Sequence, residues 1–306
     1  MIRGIIMNFR DLEYLVALEE LKHFRKAADK CFVSQPTLSG QIRKLEDELN
    51  IQLMERSSRK VIFTPAGNDI VAKAKTILLE AKSLKEIAKS HNEPMQGTLH
   101  IGLIPTVAPY LLPIIIPVIK NAFPDLQLYL HENQTTILLK QLEEGELDCL
   151  ILAILPGMEQ FNRLDLYDEP LELALSDKHA WSKLRNIDLQ DLSGEHVLML
   201  EDGHCLREQA MGFCFAAGAI EDNSFKATSL ETLRHMISAD NGLTLLPQLA
   251  IPLNRDQAGV KYIPFKAPAP IRTISLLSRK NSARQVCFDQ LAALINEAVQ
   301  EKLAEY

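Results

Sequence analysis

Apolar residues in the first sixty positions recur at the three- and four-residue spacing that is typical of α-helices. Two short helices are predicted, over residues 12–18 and 24–31. A third helix is predicted from Ser34, because serine is a good N-cap and Pro36 falls in the first turn, where proline is tolerated. Asn50 suits the left-handed conformation that ends a helix. The apolar face of this third helix is formed by Leu38, Ile42, Leu45 and Leu49.

A β-hairpin and a long helix are predicted next. Two β-prone segments, 51–54 and 61–64, flank the basic tip Arg56-Ser57-Ser58-Arg59-Lys60. The helix is predicted over residues 65–91, and its apolar positions form a heptad seam. This helix could pack on its own domain, but the seam favours pairing with a second copy of the chain. The seam consists of Ile70, Ala74, Ile77, Ala81, Leu84 and Ala88.

After a linker at residues 93–97, the remaining chain alternates between strand-like and helix-like segments, which predicts α/β layers with parallel strands. The pattern predicts two lobes joined by crossovers, with ligand or sensor chemistry between them. Residues 271–277 and a final helix from Arg284 are expected to return to the first sheet. The earlier predicted elements are strands 99–104, 127–131 and 149–154, and helices 111–121 and 137–144.

Composition indicates a globular protein, with 47% apolar and 24% charged residues. The longest apolar run, 110–119, is interrupted by two prolines and is much shorter than the ~20 residues that span a bilayer. The start of the chain lacks the apolar core of a secretory signal, so a cytoplasmic location without membrane contact is expected. The chain has five cysteines, a sparse and odd-numbered set, whereas the disulfide frameworks of secreted domains are dense and even-numbered.

The net charge of −7 is unevenly distributed. Residues 1–95 hold 16 basic and 13 acidic side chains, whereas the rest of the chain holds 17 basic and 27 acidic ones. Within 22–60 the counts are nine basic and five acidic. A locally positive segment is what a polyanion such as DNA requires, even in an acidic protein.

The helix that begins near Ser34 carries short polar side chains and one cation on its exposed face. Such side chains contact base edges and phosphates in the major groove. Helix-turn-helix spacing alone would also fit an ordinary polar surface helix. The predicted DNA-contacting residues of this helix are Ser34, Gln35, Pro36, Thr37, Ser39, Gln41 and Arg43.

The run from Ala27-Ala28 through Ser34-Gln35-Pro36-Thr37-Leu38-Ser39-Gly40-Gln41-Ile42-Arg43 is more specific, as is Arg56 followed by Thr64-Pro65-Ala66-Gly67. Both motifs resemble those of LysR-type transcription regulators. The resemblance covers the whole chain and implies a DNA-binding regulator, with Arg56 and Arg59 on the wing reaching the DNA backbone or minor groove. Met54 and Asn50 depart from the family's usual phenylalanine and glycine.

The fold implied is α/β with an all-α-rich N-terminal winged helix-turn-helix, followed by an effector domain of two α/β lobes similar to type 2 periplasmic binding proteins. The expected domains are a DNA-binding domain at 7–64, a dimerisation helix at 65–92 and a regulatory domain at 97–306. Lobe I is expected at about 97–168 and 273–306, and lobe II at about 169–272.

A pair of cysteines in the second lobe has neighbours suited to redox chemistry. Peroxide reacts with a thiolate, which needs cationic or hydrogen-bonding neighbours and partial access. His204 and Arg207 bracket Cys205, and Gly203 could present it at a helix N-terminus, where the dipole favours an anion. On one continuous helix Cys214 would lie ~13.5 Å further along the axis and on the opposite face. A disulfide would then require local refolding, because it needs Cα atoms within about 7 Å.

Two alternatives compete with a redox switch. The cysteines could be buried thiols that never meet, as is expected for Cys31, Cys149 and Cys287, or Cys205 and Cys214 could bind zinc together with His204. The paired spacing of structural zinc sites is missing, and no metal or cofactor is expected.

The segments His204-Cys205-Leu206-Arg207 and Gly212-Phe213-Cys214 resemble the redox segment of the family's hydrogen-peroxide sensors, as do Ile104-Pro105-Thr106 and 227–234. That resemblance implies that Cys205 is the peroxidatic residue and Cys214 the resolving one. The residues that it implies around peroxide are Thr106, Thr135, His204, Arg207 and Arg272, with Arg272 lowering the pKa of the thiol.

Three classes of function follow. The first is a hydrogen-peroxide-sensing regulator, mainly an activator of oxidative-stress defence genes, switched by a reversible Cys205–Cys214 disulfide. The second is a LysR-type regulator that responds to a small metabolite between the lobes. The third, a thiol peroxidase enzyme, is disfavoured because it would not need the recognition helix. The partners expected for the first class are double-stranded promoter DNA, RNA polymerase, further copies in a homodimer or homotetramer, and a thiol reductant such as a glutaredoxin.

Overall fold

The computed structural model describes residues 7–56, 61–90, 94–255 and 259–306. The chain divides into two compact units between Lys89 and Ser90. None of the helices in these ranges is both long and apolar enough to cross a bilayer.

The first unit is a winged helix-turn-helix, since three helices are followed by a two-stranded antiparallel hairpin and a long helix. Its core is formed by the apolar faces of all these elements, including Leu15, Leu38 and Ile42. The elements are α1 (Phe9–Leu21), α2 (Phe24–Lys30), α3 (Gln35–Leu49), β1 (Met54–Arg56), β2 (Val61–Phe63) and α4 (Pro65–Ser90).

The predicted ends of α3 are confirmed. The Ser34 side chain accepts a hydrogen bond from the backbone N–H of Thr37 at 3.3 Å, and Asn50 ends the helix with φ 52° and ψ 40°. Asparagine tolerates this left-handed conformation better than most side chains because it can hydrogen-bond locally.

The predicted position of the first wing strand is wrong by three residues. The strand begins at Met54 and not at Ile51, and its pairing runs from Met54 opposite Phe63 to Arg56 opposite Val61. The preceding residues are held by side chains instead: Glu46 Oε1 accepts from the Leu53 N–H at 3.0 Å, and Thr64 Oγ1 donates to the Gln52 carbonyl at 2.9 Å.

The first half of α4 packs on its own domain, where Val71 and Ala74 are buried in the core. Further along the helix the seam residue Leu84 is 67% exposed. The first half of α4 therefore packs on its own domain, and the pairing of the seam with a second copy stays a prediction.

The second unit consists of two lobes that share a mixed sheet of the order β4-β3-β5-β11-β6-β9-β7-β8, with β10 also paired to β6. Its strands are β3 (Gly97–Leu103), β4 (Leu126–Glu132), β5 (Cys149–Ala153), β6 (Phe161–Ser176), β7 (His196–Leu200), β8 (Ile220–Ala227), β9 (Leu243–Pro247), β10 (Val260–Pro264) and β11 (Ile271–Arg279). Its helices are α5 (Ala108–Ala122), α6 (Thr135–Glu143), α7 (Cys205–Ala216), α8 (Leu230–Ser238) and α9 (Gln285–Leu303).

The prediction of parallel strands is only partly correct. Strand β3 is parallel to β4 and β5, and β7 is parallel to β8 and β9, but β11 runs antiparallel to both β5 and β6. The physical reason is that β6 and β11 carry the chain between the lobes in opposite directions. Each lobe has its own hydrophobic core. The return of 271–277 to the first sheet is confirmed, because β11 pairs with β5.

Two helical glycines in the first unit provide a matched test of how the start of α4 packs against the hairpin. An added Cβ at Gly67 would lie 1.9 Å from the Leu53 carbonyl oxygen, whereas one at Gly40 would meet nothing within 4 Å. We expect Gly67→Ala to lower the free energy of unfolding by about 2 kcal/mol or more through overpacking. Gly40→Ala should raise it by about 0.5–1 kcal/mol, because alanine is the better helix former. Thermal unfolding followed by circular dichroism measures both, and equal shifts would contradict this account of the α4 start.

Candidate redox site and DNA-binding surface

Cys205 is the first residue of α7, and His204 is its N-cap. The turn before it contains Gly203 at φ +94°, where a Cβ would lie 2.8 Å from Oε1 of Gln134. Glycine therefore serves two needs here, because it allows the left-handed turn and the close approach of lobe I. Cys205 is 2% exposed, so the partial access expected from the sequence is not found.

Opposing effects act on the Cys205 thiol. Burial raises the pKa of the thiol. The Arg272 charge, the Thr135 hydroxyl and the backbone N–H groups of Ala153 and Leu206 all lower this pKa, but the effect of burial is larger. The pKa remains above the ordinary value for cysteine. Most Cys205 thiols are therefore protonated at neutral pH, and the thiolate is a minority species.

Arg272 is fixed by an extensive set of polar contacts. Its Nη1 donates to Thr106 Oγ1 and its Nη2 to the Thr106 carbonyl, both at 3.0 Å. Its Nε donates to Glu169 Oε2 at 2.8 Å. No sequence signal points to Glu169, because nothing in a β-strand pattern identifies the residue opposite Arg272 on the neighbouring strand.

Thr135 and His204 are two further residues of the predicted peroxide pocket. Thr135 is buried, and its hydroxyl interacts with the Cys205 thiol, whose pKa it lowers. Burial lowers the pKa of His204, although Glu201 opposes this effect. His204 is therefore neutral at physiological pH and presents one donor and one acceptor nitrogen.

Arg207 faces a different set of groups from those around the thiol. Its Nη1 donates to Glu221 Oε1 at 2.7 Å and to the Leu200 carbonyl at 3.1 Å, and its Nε lies 2.9 Å from Asp202 Oδ1. These partners belong to β7, β8 and the turn before α7. Arg207 thus ties the first turn of α7 to lobe II.

The two cysteines of α7 lie in different cores. Cys205 belongs to the apolar cluster of lobe I and Cys214 to that of lobe II, and both are free thiols. Nine residues of helix separate them by ~13.5 Å along the axis and turn them to opposite faces. Burial raises the pKa of Cys214 to about 12.

Two polar side chains that sequence reasoning missed connect α7 and its preceding turn to lobe I. Gln209 Nε2 donates to the Ile154 carbonyl at 3.2 Å. Gln134 Nε2 lies 3.4 Å from Glu201 Oε1. Glutamines have no distinctive sequence signature, so only the fold shows that these bridge the lobes.

The other cysteines lie apart from α7. Cys149 and Cys287 are buried in lobe I, and Cys31 is partly buried at the end of α2. Within the described ranges, no group of three or more His, Cys, Asp or Glu side chains could hold a metal ion.

The predicted DNA-contacting face lies on α3. Leu38, Ile42 and Leu45 are buried, while Gln35, Pro36, Thr37 and Arg43 are exposed and Ser39 and Gln41 are partly exposed. Ser34 is exposed but also acts as the N-cap. Arg56 is the last residue of β1, and Arg59 lies outside the described residues.

Comparison with known proteins identifies the family. Residues 9–68 match the bacterial regulatory helix-turn-helix protein model of the lysR family, and residues 92–300 match the LysR substrate binding domain. The chain belongs to the LysR family. Members are DNA-binding transcription regulators, which agrees with the exposed polar face of α3.

Relatives within the LysR family point to one subgroup. A hydrogen peroxide-inducible genes activator from Dickeya chrysanthemi is 58% identical over 301 residues, which cover 97% of this chain and 99% of the relative. A full-length OxyR variant from Pseudomonas aeruginosa has a TM-score of 0.76 and 35% identity over 95% of both chains. Crystal structures of oxidized and reduced OxyR each have a TM-score of 0.64, with 53% and 51% identity, and cover 68% of this chain and 98% of theirs.

The raised pKa of Cys214 predicts a pH dependence of stability. Folding favours the neutral thiol, so its contribution is complete below about pH 8.5 and is lost as the pH rises towards 12. In the reduced protein, replacing Cys214 with serine should therefore make the fall in unfolding free energy between pH 9 and 11 shallower, by up to about 1.4 kcal/mol per pH unit. Urea unfolding of both proteins measures this difference, and identical slopes would contradict it.

Proposed function

We propose that this chain is a hydrogen-peroxide-responsive transcription regulator that is switched by a reversible disulfide between Cys205 and Cys214. The observation that carries the proposal is the position of the two free thiols of α7. They lie in the cores of different lobes and can meet only if the helix unwinds. The high identity to hydrogen peroxide-inducible genes activators supports peroxide as the signal.

Peroxide would be reduced at Cys205. The thiolate sulfur attacks one peroxide oxygen, the O–O bond breaks, and the leaving hydroxide takes a proton to become water. Sulfur is left as a sulfenic acid. The Thr135 hydroxyl, beside the thiol, and the neutral His204 would offer hydrogen bonds to peroxide, and Arg272 and Thr106 would stabilise the negative charge. Arg207 would act outside this pocket by holding the start of α7.

The second step would form the disulfide. The Cys214 sulfur, as thiolate, attacks the sulfenic sulfur, a sulfur–sulfur bond forms, and hydroxide leaves and is protonated to water. Because a disulfide needs Cα atoms within about 7 Å, the ~13.5 Å of helix must unwind first. Gly212, exposed in the middle of α7, weakens the helix where this would occur. A dithiol or glutathione-dependent reductant, such as a glutaredoxin, would reverse the bond by thiol exchange.

Refolding of the α7 region would change the contacts that the second unit, residues 90–306, makes with other copies of the chain. The transcriptional activity of the DNA-bound regulator would change as a result. We propose that the chain binds paired half-sites in promoter DNA as a homodimer or homotetramer that uses the exposed part of the α4 seam. Altered engagement of RNA polymerase would then increase transcription of oxidative-stress genes. This role places the protein in the cytoplasm, and it uses peroxide as a signal and not as a substrate to be turned over.

Cysteine variants test the proposed switch. In the reduced protein, stoichiometric peroxide should consume two free thiols and form one intramolecular disulfide. Cys205→Ser should abolish both this reaction and peroxide-induced transcription, whereas Cys214→Ser should still form a sulfenic acid at Cys205 but no disulfide. Mass spectrometry of the alkylated protein and a promoter reporter measure these outcomes.

Cys149→Ser is the matched control, because it removes another buried thiol but should leave the switch intact. An unchanged thiol count after peroxide would instead favour a regulator that responds to a small metabolite. Steady turnover of peroxide at the rates of dedicated peroxidases would favour an enzyme.

The α3 surface predicts an electrostatic contribution to DNA binding. Arg43 is exposed on this helix, so Arg43→Ala should weaken binding at every sequence and reduce the slope of log affinity against log salt by about 0.9. Lys75→Ala is the control, because Lys75 on α4 is 3.5 Å from Glu19 and should not bind phosphate. Fluorescence anisotropy across a salt series measures both slopes, and equal slopes for the two variants would overturn the assignment.

A further inference from the structure

Glu169 and Arg272 form a buried ion pair beside the proposed redox site. They face each other across strands β6 and β11, and each side chain is 1% exposed. Glu169 Oε2 lies 2.8 Å from Nε and 2.7 Å from Nη2 of Arg272. Burying an unpaired carboxylate costs free energy, so the charged form of Glu169 depends on its pairing with Arg272. In turn, Glu169 positions the Arg272 guanidinium.

The donors of Arg272 can be counted. A guanidinium has five N–H groups. Nε and one Nη2 hydrogen are directed to Glu169, the other Nη2 hydrogen to the Thr106 carbonyl, and one Nη1 hydrogen to Thr106 Oγ1. One Nη1 hydrogen is left without a partner among the described residues. Glu169 and Thr106 together therefore fix the guanidinium in an orientation that keeps one donor available.

The other oxygen of Glu169 is also engaged. Oε1 accepts a hydrogen bond from the backbone N–H of Leu249 at 2.9 Å. Leu249 lies in the 3₁₀ turn Gln248–Ala250, directly after β9 of lobe II, but its side chain packs in the core of lobe I. With both oxygens engaged, the carboxylate cannot rotate without losing a buried hydrogen bond.

We propose that Glu169 is a positioning residue of the peroxide reaction, which fixes the Arg272 guanidinium beside Cys205 and limits how much of its positive charge acts on the thiol. This inference rests on the proposed function, because it assigns a role within the same site. Glu169 does not touch the thiol in this scheme, and it acts only through Arg272.

The charged and titratable groups around the thiol determine the sign of the effect. Arg272 of β11 is the charged side chain that acts on the thiol directly, Glu169 of β6 pairs with Arg272, and both act on Tyr167 of β6. His204, the residue before Cys205, is acted on by Glu201. Arg272 is the cation that lowers the pKa of Cys205, and Glu169 neutralises part of its charge. Removing the carboxylate charge should therefore favour the thiolate.

The test is the pH dependence of Cys205 alkylation by iodoacetamide in the full-length reduced protein, followed on the Cys205 peptide by mass spectrometry. Glu169→Gln keeps the side-chain shape but removes the charge. We expect its apparent pKa at Cys205 to fall by about one unit, which gives about tenfold more thiolate at neutral pH. Glu169→Asp keeps the charge, so its pKa should stay closer to that of the parent.

Glu172→Gln is the matched control. Glu172 lies on the same strand, is also buried, and pairs with Arg255 through two contacts of 2.7 and 2.8 Å, yet it is not part of the site. Glu172→Gln should lower the free energy of unfolding about as much as Glu169→Gln does, but it should leave the pKa of Cys205 unchanged. The proposal is overturned if Glu169→Gln leaves that pKa unchanged, or if Glu172→Gln lowers it equally.

A second measurement separates this proposal from the function on which it rests. At high pH Cys205 is fully ionised, so the limiting rate of its reaction with peroxide reports the reactivity of the thiolate alone. We expect this limiting rate to fall in Glu169→Gln, because the spare N–H donor of Arg272 is then no longer held in place. Unchanged limiting rates would overturn the positioning role. If Cys205 of the parent does not react with peroxide at all, the proposed function fails, while the alkylation profile still tests the effect of Glu169 on the thiol.

Discussion

Helix α7 keeps its two thiols in the cores of different lobes, and the chemistry of the regulatory unit depends on that separation. A continuous helix stabilises the reduced state in two ways. Its backbone N–H and C=O groups are hydrogen-bonded within the helix, and Cys205 and Cys214 are buried in apolar surroundings. A disulfide cannot be added to this arrangement, since it requires the helix to be lost. In the proposed switch, disulfide formation and refolding would therefore be coupled, which is the property expected of a bistable element.

The same burial explains why the site needs so many polar contacts. An isolated thiol in an apolar core would be inert, and burial does raise the pKa of both cysteines. Cys205 differs from Cys214 because a guanidinium, a hydroxyl and two backbone N–H groups oppose the effect of burial there. For Cys214 burial is the cause of the shift, and nothing comparable opposes it. This asymmetry supports Cys205 as the thiol that reacts first and Cys214 as the one that responds after refolding.

The DNA-binding unit follows a simpler physical scheme. Its recognition helix buries an apolar stripe and leaves short polar side chains outward, while Thr64 joins the wing to the start of α4. The Thr64 hydroxyl donates to the Gln52 carbonyl and accepts from the Gly67 N–H at 3.0 Å. The absence of a side chain at Gly67 allows the helix to approach the Leu53 carbonyl. The motif Thr64-Pro65-Ala66-Gly67 is thus explained by the packing of the helix against the wing.

The sequence by itself determined the helices of the DNA-binding unit, both ends of the recognition helix and the start of the redox helix, because periodicity and capping are local properties of the chain. It also identified the two cysteines, through resemblance and their spacing. Tertiary structure alone decided that the sheet is mixed, that Cys205 is buried, that Arg207 faces Glu221 and Asp202, and that Glu169 holds Arg272. Glu169 and Arg272, for example, lie 103 positions apart, and no local pattern encodes which strands become neighbours or which charges meet between them.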